Sequence, residues 1–143
     1  MKRTILVVLI FLISSCQNTS SLPDITVRNM KGEKVKLTQY KGKETIIYVW
    51  SRTCAGHTKD LKNLNTLTQK YPSYNIISYA IAMDVKDVMV GYRDLAIKPI
   101  FETLVDTSAE FNNYFPITFL PSTYVFDKDG KLLASYAGLP ESF

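Results

Sequence analysis

Past residue 22 the spacing of apolar and polar positions switches repeatedly between two and three-to-four residues. Residues 24–28 and 34–37 alternate on either side of Lys31-Gly32, the pattern of a β-hairpin closed by a glycine turn. Thr45–Trp50 (TIIYVW) is β-branched or aromatic throughout, which suits a strand covered on both faces. Leu61, Leu64, Leu67 and Tyr71 then recur at helical spacing until Pro72 closes the run. Residues 75–82 (NIISYAIA) predict a second buried strand, and Val85, Val88, Met89, Tyr92 and Leu95 predict a helix over 85–97. A short strand over 103–105 and a short helix over 108–114 follow. Ser122–Phe126 is a third central strand, Asp127-Lys128-Asp129-Gly130 a tight turn, and 131–136 a returning edge strand. Strands alternating with helices and ending in a hairpin imply an α/β fold, with a mixed sheet and helices on both faces.

The first residues follow a different rule. Lys2 and Arg3 precede an unbroken apolar run from Ile5 to Ile13, and Ser14, Ser15 and Cys16 come next. The run is far short of the ~20 residues that cross a bilayer, and the order of charge, apolar run and small residues is that of a secretory leader. Ile13-Ser14-Ser15-Cys16 resembles a bacterial lipobox, after which the cysteine carries lipid. The expected organisation is a signal peptide at 1–15, a lipidated polar tether at 16–22 and one domain over 23–143. The expected location is the cell envelope, lipid-anchored and facing the periplasm or extracytoplasmic space.

Composition narrows the chemistry. The formal charge is +4 with no basic stripe, so a nucleic-acid partner is not expected. Two cysteines and one histidine exclude a disulfide framework and a His-rich metal centre. Neither a glycine-rich phosphate loop nor paired carboxylates placed for acid–base work occurs, and no resident cofactor is expected.

The chemistry that remains centres on Cys54, which lies where a buried strand gives way to a helix. Free N–H groups at a helix start lower a thiol pKa, and His57 stands one turn further on. The spacing therefore predicts a thiolate at Cys54 assisted by an exposed His57. An inert cysteine beside a surface histidine satisfies the same spacing. Asp84, Asp106 and Asp127 sit at strand ends, where carboxylates cap helices and turns.

Val49-Trp50-Ser51-Arg52-Thr53-Cys54-Ala55-Gly56-His57 resembles the active-site segment of thioredoxin-fold proteins. Leu120-Pro121-Ser122-Thr123 with the following Asp127-Lys128-Asp129-Gly130 turn is similar to that family's cis-proline strand and hairpin. The likeness covers roughly residues 22–138 and is nearest to the extracytoplasmic TlpA and ResA group of the thioredoxin and peroxiredoxin superfamily. It implies a thioredoxin-like three-layer α/β/α fold with a mixed central sheet and an N-terminal β-hairpin, its last helix short or missing. It also implies a reactive Cys54, a cis Leu120-Pro121 bond beside it, and a substrate surface made by Leu120, Pro121 and Trp50. The implied partners are protein disulfides or low-molecular-weight thiols, with an external reductase or resolving thiol.

The chain departs from the family pattern at three points: His57 replaces the second motif cysteine, Tyr48 replaces a buried aspartate, and Thr53 replaces a tryptophan. A bridge inside the site cannot form, so the leading expectation is a thiol–disulfide oxidoreductase that uses one cysteine. A redox-inactive partner- or copper-binding module and a one-cysteine peroxidase are the alternatives. For copper, Cys54 and His57 would need a methionine such as Met83. For a peroxidase, Ser51 would have to imitate the family's threonine.

Overall fold

The structure is a computed structural model that describes residues 20–54 and 56–143. The leader and the lipidation position Cys16 lie outside the described residues. The strands are β1 (Thr26–Asn29), β2 (Lys34–Lys36), β3 (Thr45–Trp50), β4 (Asn75–Ile81), β5 (Glu102–Asp106), β6 (Ser122–Phe126) and β7 (Leu132–Ala137). The helices are α1 (His57–Lys70) and α2 (Val85–Asp94). The seven strands form one mixed sheet in the order β2-β1-β5-β4-β3-β6-β7, with β3-β4 and β4-β5 parallel and the other pairs antiparallel. This is a thioredoxin-like architecture with the expected N-terminal hairpin.

Strand β3 pairs on both sides and is buried at all six positions, as its unbroken apolar sequence requires. Ile46, Tyr48 and Trp50 point to one face, where they meet Leu61, Leu64 and Leu67 of α1 and Val88 and Tyr92 of α2. Ile47 and Val49 point to the other face, among Leu37, Tyr40, Phe111 and Phe115.

Both α-helices therefore cover the same face, which corrects the expectation of helices on both. The crossovers β3-α1-β4 and β4-α2-β5 step in the same direction across the sheet, and right-handed connections put both helices on one side. The opposite layer is built from two 3-10 turns, Leu37–Tyr40 and Glu110–Asn113, rather than a full helix. The second turn starts at Glu110 because Ala109 before it is left-handed, at φ 56°, and Asp106 takes the N–H groups of Glu110 and Phe111.

Helix α2 stops at Asp94, short of the expected Ile97. Ala96 turns left-handed at φ 53°, and the Ile97 N–H donates back to the Tyr92 carbonyl at 2.9 Å. That is a Schellman stop, made with alanine where glycine is usual. The strand-end aspartates behave as expected. Asp84 caps α2 through the Asp87 N–H, Asp106 caps the second 3-10 turn, and Asp127 accepts from Asp129 and Lys131 in the hairpin turn.

The N-terminal approach differs from a free tether. Ser21 bridges to Lys131, the Leu22 N–H donates to the Gly130 carbonyl at 2.7 Å, and Leu22 is only 3% exposed. Leu22 enters the layer that holds Ile25, Val27 and Leu37, so chain docking begins at Ser20 rather than at Pro23. Leu22→Ala should consequently cost about 2–5 kcal/mol, as for a core leucine, where a tether residue would cost less than about 0.5 kcal/mol. Urea unfolding of the two proteins decides between these values.

Candidate functional site

Strand β3 ends at Trp50 and α1 begins at His57, leaving a short loop over the end of the sheet. Within it the Cys54 N–H donates to the Ser51 carbonyl at 3.2 Å, and the Cys54 thiol donates to the same oxygen at 3.0 Å. Gly56 is the N-cap of α1 at φ 83°, a backbone conformation that any side chain would strain. Cys54 is half-buried and is the one free cysteine among the described residues.

The expected neighbour is present, in an unexpected orientation. His57 Nδ1 lies 2.7 Å from the Cys54 carbonyl oxygen rather than being aimed at the sulfur. A carbonyl only accepts, so Nδ1 carries the hydrogen and Nε2 keeps the lone pair when the ring is neutral. The imidazole lies flat on the Trp50 indole, with centroids 5.4 Å apart and planes 10° apart. His57 is therefore half-buried, where the sequence predicted a largely exposed side chain. Trp50 is 1% exposed, so it presents no open face to a partner.

The electrostatics also differ from expectation. Burial pushes the Cys54 thiol up from its ordinary value; backbone hydrogen bonding at Ser51 and Cys54 opposes this, and the Asp60 carboxylate adds to it. The helix start does not hold a thiolate because α1 begins three residues beyond Cys54, and the imidazole is committed to a carbonyl. Asp60 stands one turn along α1 and accepts from the Tyr48 phenol at 3.0 Å. Burial first, then Asp60, holds that phenol far above its usual range. Tyr48 thus occupies the position expected for a buried aspartate and brings in a carboxylate from the helix.

The Leu120-Pro121 bond is cis, as the resemblance implied. Val49 stands opposite Ser122 in the β3-β6 register, which carries Pro121 level with Trp50 at the strand end. Leu120 packs into the layer opposite α1 and, with Phe119 and Ile117, borders an apolar recess of about 370 Å³. A second recess of about 280 Å³ is walled by Trp50, Arg52, His57, Met83 and Leu95. Arg52 pairs with Asp87, so its charge is already partnered. The Ser51 hydroxyl lies 3.1 Å from that of Thr53. Among the described residues no three His, Cys, Asp or Glu side chains converge to hold a metal.

Four residues here had not been singled out as site residues by the sequence reading. Asp60 could have been found from its place three residues beyond His57, on the same helical face. Ser78 is the lone serine in the core of a buried strand, and its partners Tyr92 and Thr103 had no local signal as site residues.

Two outcomes test this geometry. Because the raised Cys54 thiol owes part of its shift to Asp60, Asp60→Asn should lower its pKa, and iodoacetamide alkylation at pH 7–8 should quicken. An unchanged or slower rate contradicts the assignment. Trp50 and His57 are the single tryptophan and histidine of the chain. Because the imidazole lies against the indole, His57→Ala should change the indole emission, and an unchanged spectrum contradicts the contact.

Comparison with known proteins agrees with this fold. The chain is 26% identical over 116 residues to the thiol-disulfide oxidoreductase ResA of Bacillus thuringiensis subsp. konkukian, covering 81% of this chain and 67% of that one. Against ResA of Bacillus subtilis it is 18% identical over 124 residues, covering 87% and 69%. Among solved structures, the thioredoxin domain of a Bacteroides vulgatus thiol-disulfide oxidoreductase superposes with a TM-score of 0.72 at 18% identity, covering 85% of this chain and 89% of the other. The exposed lipoprotein thioredoxin Etrx1 of Streptococcus pneumoniae gives 0.70 at 20% identity, covering 83% and 92%. The AhpC/TSA family pattern matches residues 19–135, and the chain belongs to that family.

Proposed function

We propose that this protein is an envelope thiol–disulfide oxidoreductase that works through one cysteine, Cys54. The observation that carries the reading is the Cys54–His57 pair at the β3–α1 junction, with histidine where a bridging thiol would stand. Cys54 attacks a disulfide RS–SR′, forms Cys54–S–S–R and releases R′S⁻, which takes the proton that Cys54 gave up. His57, with Nδ1 on the Cys54 carbonyl, holds the loop that carries the thiol. A second thiol on the partner, a small thiol or an external reductase then resolves the adduct.

Burial of the thiol slows its departure from the mixed disulfide, so the adduct persists until a resolving thiol arrives. Leu120 and Pro121 at the neighbouring strand end supply the surface on which the partner chain lies.

The second part of the proposal is anchorage. The apolar run and Ile13-Ser14-Ser15-Cys16 support a lipid on Cys16 that faces the domain into the extracytoplasmic space. The pneumococcal relative of the same fold is an exposed lipoprotein. Among the described residues no helix is long and apolar enough to cross a membrane.

Intact-mass analysis after incubation with a small aromatic disulfide tests the reaction. Wild type should gain one half-disulfide adduct, Cys54→Ser none, and neither should turn over insulin. His57→Cys should acquire insulin reduction by rebuilding a Cys-x-x-Cys pair. A wild type that stays unmodified while a denatured sample reacts would end the proposal. For anchorage, Cys16→Ser should release the protein from membranes, and an unlipidated Cys16 in the mature wild type would contradict it.

A further inference from the structure

Strand β4 runs through the middle of the sheet and is almost wholly apolar, yet Ser78 at its centre is completely buried. A hydroxyl in that position needs partners, and it has two. The Trp50 indole Nε1 donates to the Ser78 oxygen at 2.8 Å, and the Tyr92 phenol lies 2.7 Å from the same oxygen. The Tyr92 phenol is in turn 2.9 Å from the Thr103 hydroxyl. Ser78 and Thr103 stand opposite each other in the β4–β5 register, so two strands and α2 converge on one phenol. Trp50 can only donate, so Ser78 accepts from it; between Ser78 and Tyr92, and between Tyr92 and Thr103, either hydroxyl can be the donor.

What this network holds is the plane of Trp50. The indole is fixed at one edge by Ser78 and flanked by the Tyr92 ring, 6.0 Å away and 25° from parallel. His57 lies on that indole within 10° of parallel, and its Nδ1–H reaches the Cys54 carbonyl. A tilt of the indole would carry the imidazole out of that short hydrogen bond. The free side chain favours the other neutral tautomer, with hydrogen on Nε2. Holding hydrogen on Nδ1 therefore requires a fixed ring.

We propose that Ser78 and Tyr92 are positioning residues for His57. Through Trp50 they hold the imidazole as the Nδ1–H tautomer, with the lone pair left on Nε2. The catalytic meaning of that tautomer rests on the function proposed above; the tautomer itself does not.

The test is nitrogen NMR of the imidazole in uniformly ¹⁵N-labelled protein, unambiguous because His57 is the single histidine of the chain. In wild type, at a pH where the ring is neutral, Nδ1 should give the protonated shift and Nε2 the lone-pair shift. Ser78→Ala should lose this pattern and move towards the Nε2–H form of free histidine. Tyr92→Phe, which keeps the ring and the Ser78–Trp50 bond, should show a partial loss in the same direction. If Ser78→Ala does not fold, Tyr92→Phe alone decides. A wild type carrying hydrogen on Nε2, or folded variants with the wild-type pattern, would overturn the proposal. Mixed-disulfide formation is measured on the same samples. The expected tautomer pattern without any adduct would support the positioning role and defeat the proposed reaction, so the two failures are told apart.

Discussion

Strand β3 has no face in water, and that constraint organises the rest of the molecule. Paired on both edges and covered on both sides, it cannot slip by one residue without sending its side chains to the wrong layers. Its end is therefore fixed in space, and the residue at that end, Trp50, carries the fixed position into the loop. Cys54 takes its place from the loop's turn on the Ser51 carbonyl, and His57 takes its place from the indole. The reactive pair is an extension of the core rather than a feature of a mobile surface.

The site that results is not a conventional activated thiol. A helix start and a nearby imidazole would both favour thiolate, but neither is aimed at the sulfur. Burial dominates, and Asp60, brought to the site with Tyr48, works in the same direction. A resting thiol trades speed of attack for stability of the adduct, since its sulfur leaves poorly once bonded. With no second thiol at the site among the described residues, a lasting mixed disulfide is a workable state, because resolution comes from outside.

Much of the scaffold was legible in the sequence wherever burial was complete. Thr45–Trp50 and Ser122–Phe126 have the predicted ends because every position is apolar, β-branched or a paired hydroxyl, and turn residues bracket them. The stop of α2 was not legible, because alanine at 96 gives no sign that it will turn left-handed. The face on which α2 packs follows from strand order, which local spacing does not contain. Cys54 and His57 were found from their separation along the chain. The orientation of the imidazole was hidden, since it depends on an indole held by residues 28 and more positions away. The leucine at 22 was read as tether because its partners, around Gly130, lie at the far end of the sequence.

The claim on which this account turns is that the folded protein holds Cys54 as a thiol rather than as an activated thiolate. The most direct measurement is the rate of Cys54 alkylation against pH, for the native protein and again in denaturant. The account predicts that the native rate rises at a higher pH than the denatured rate. A native rate that rises at a lower pH than the denatured one would show an activated thiolate at Cys54 and contradict it.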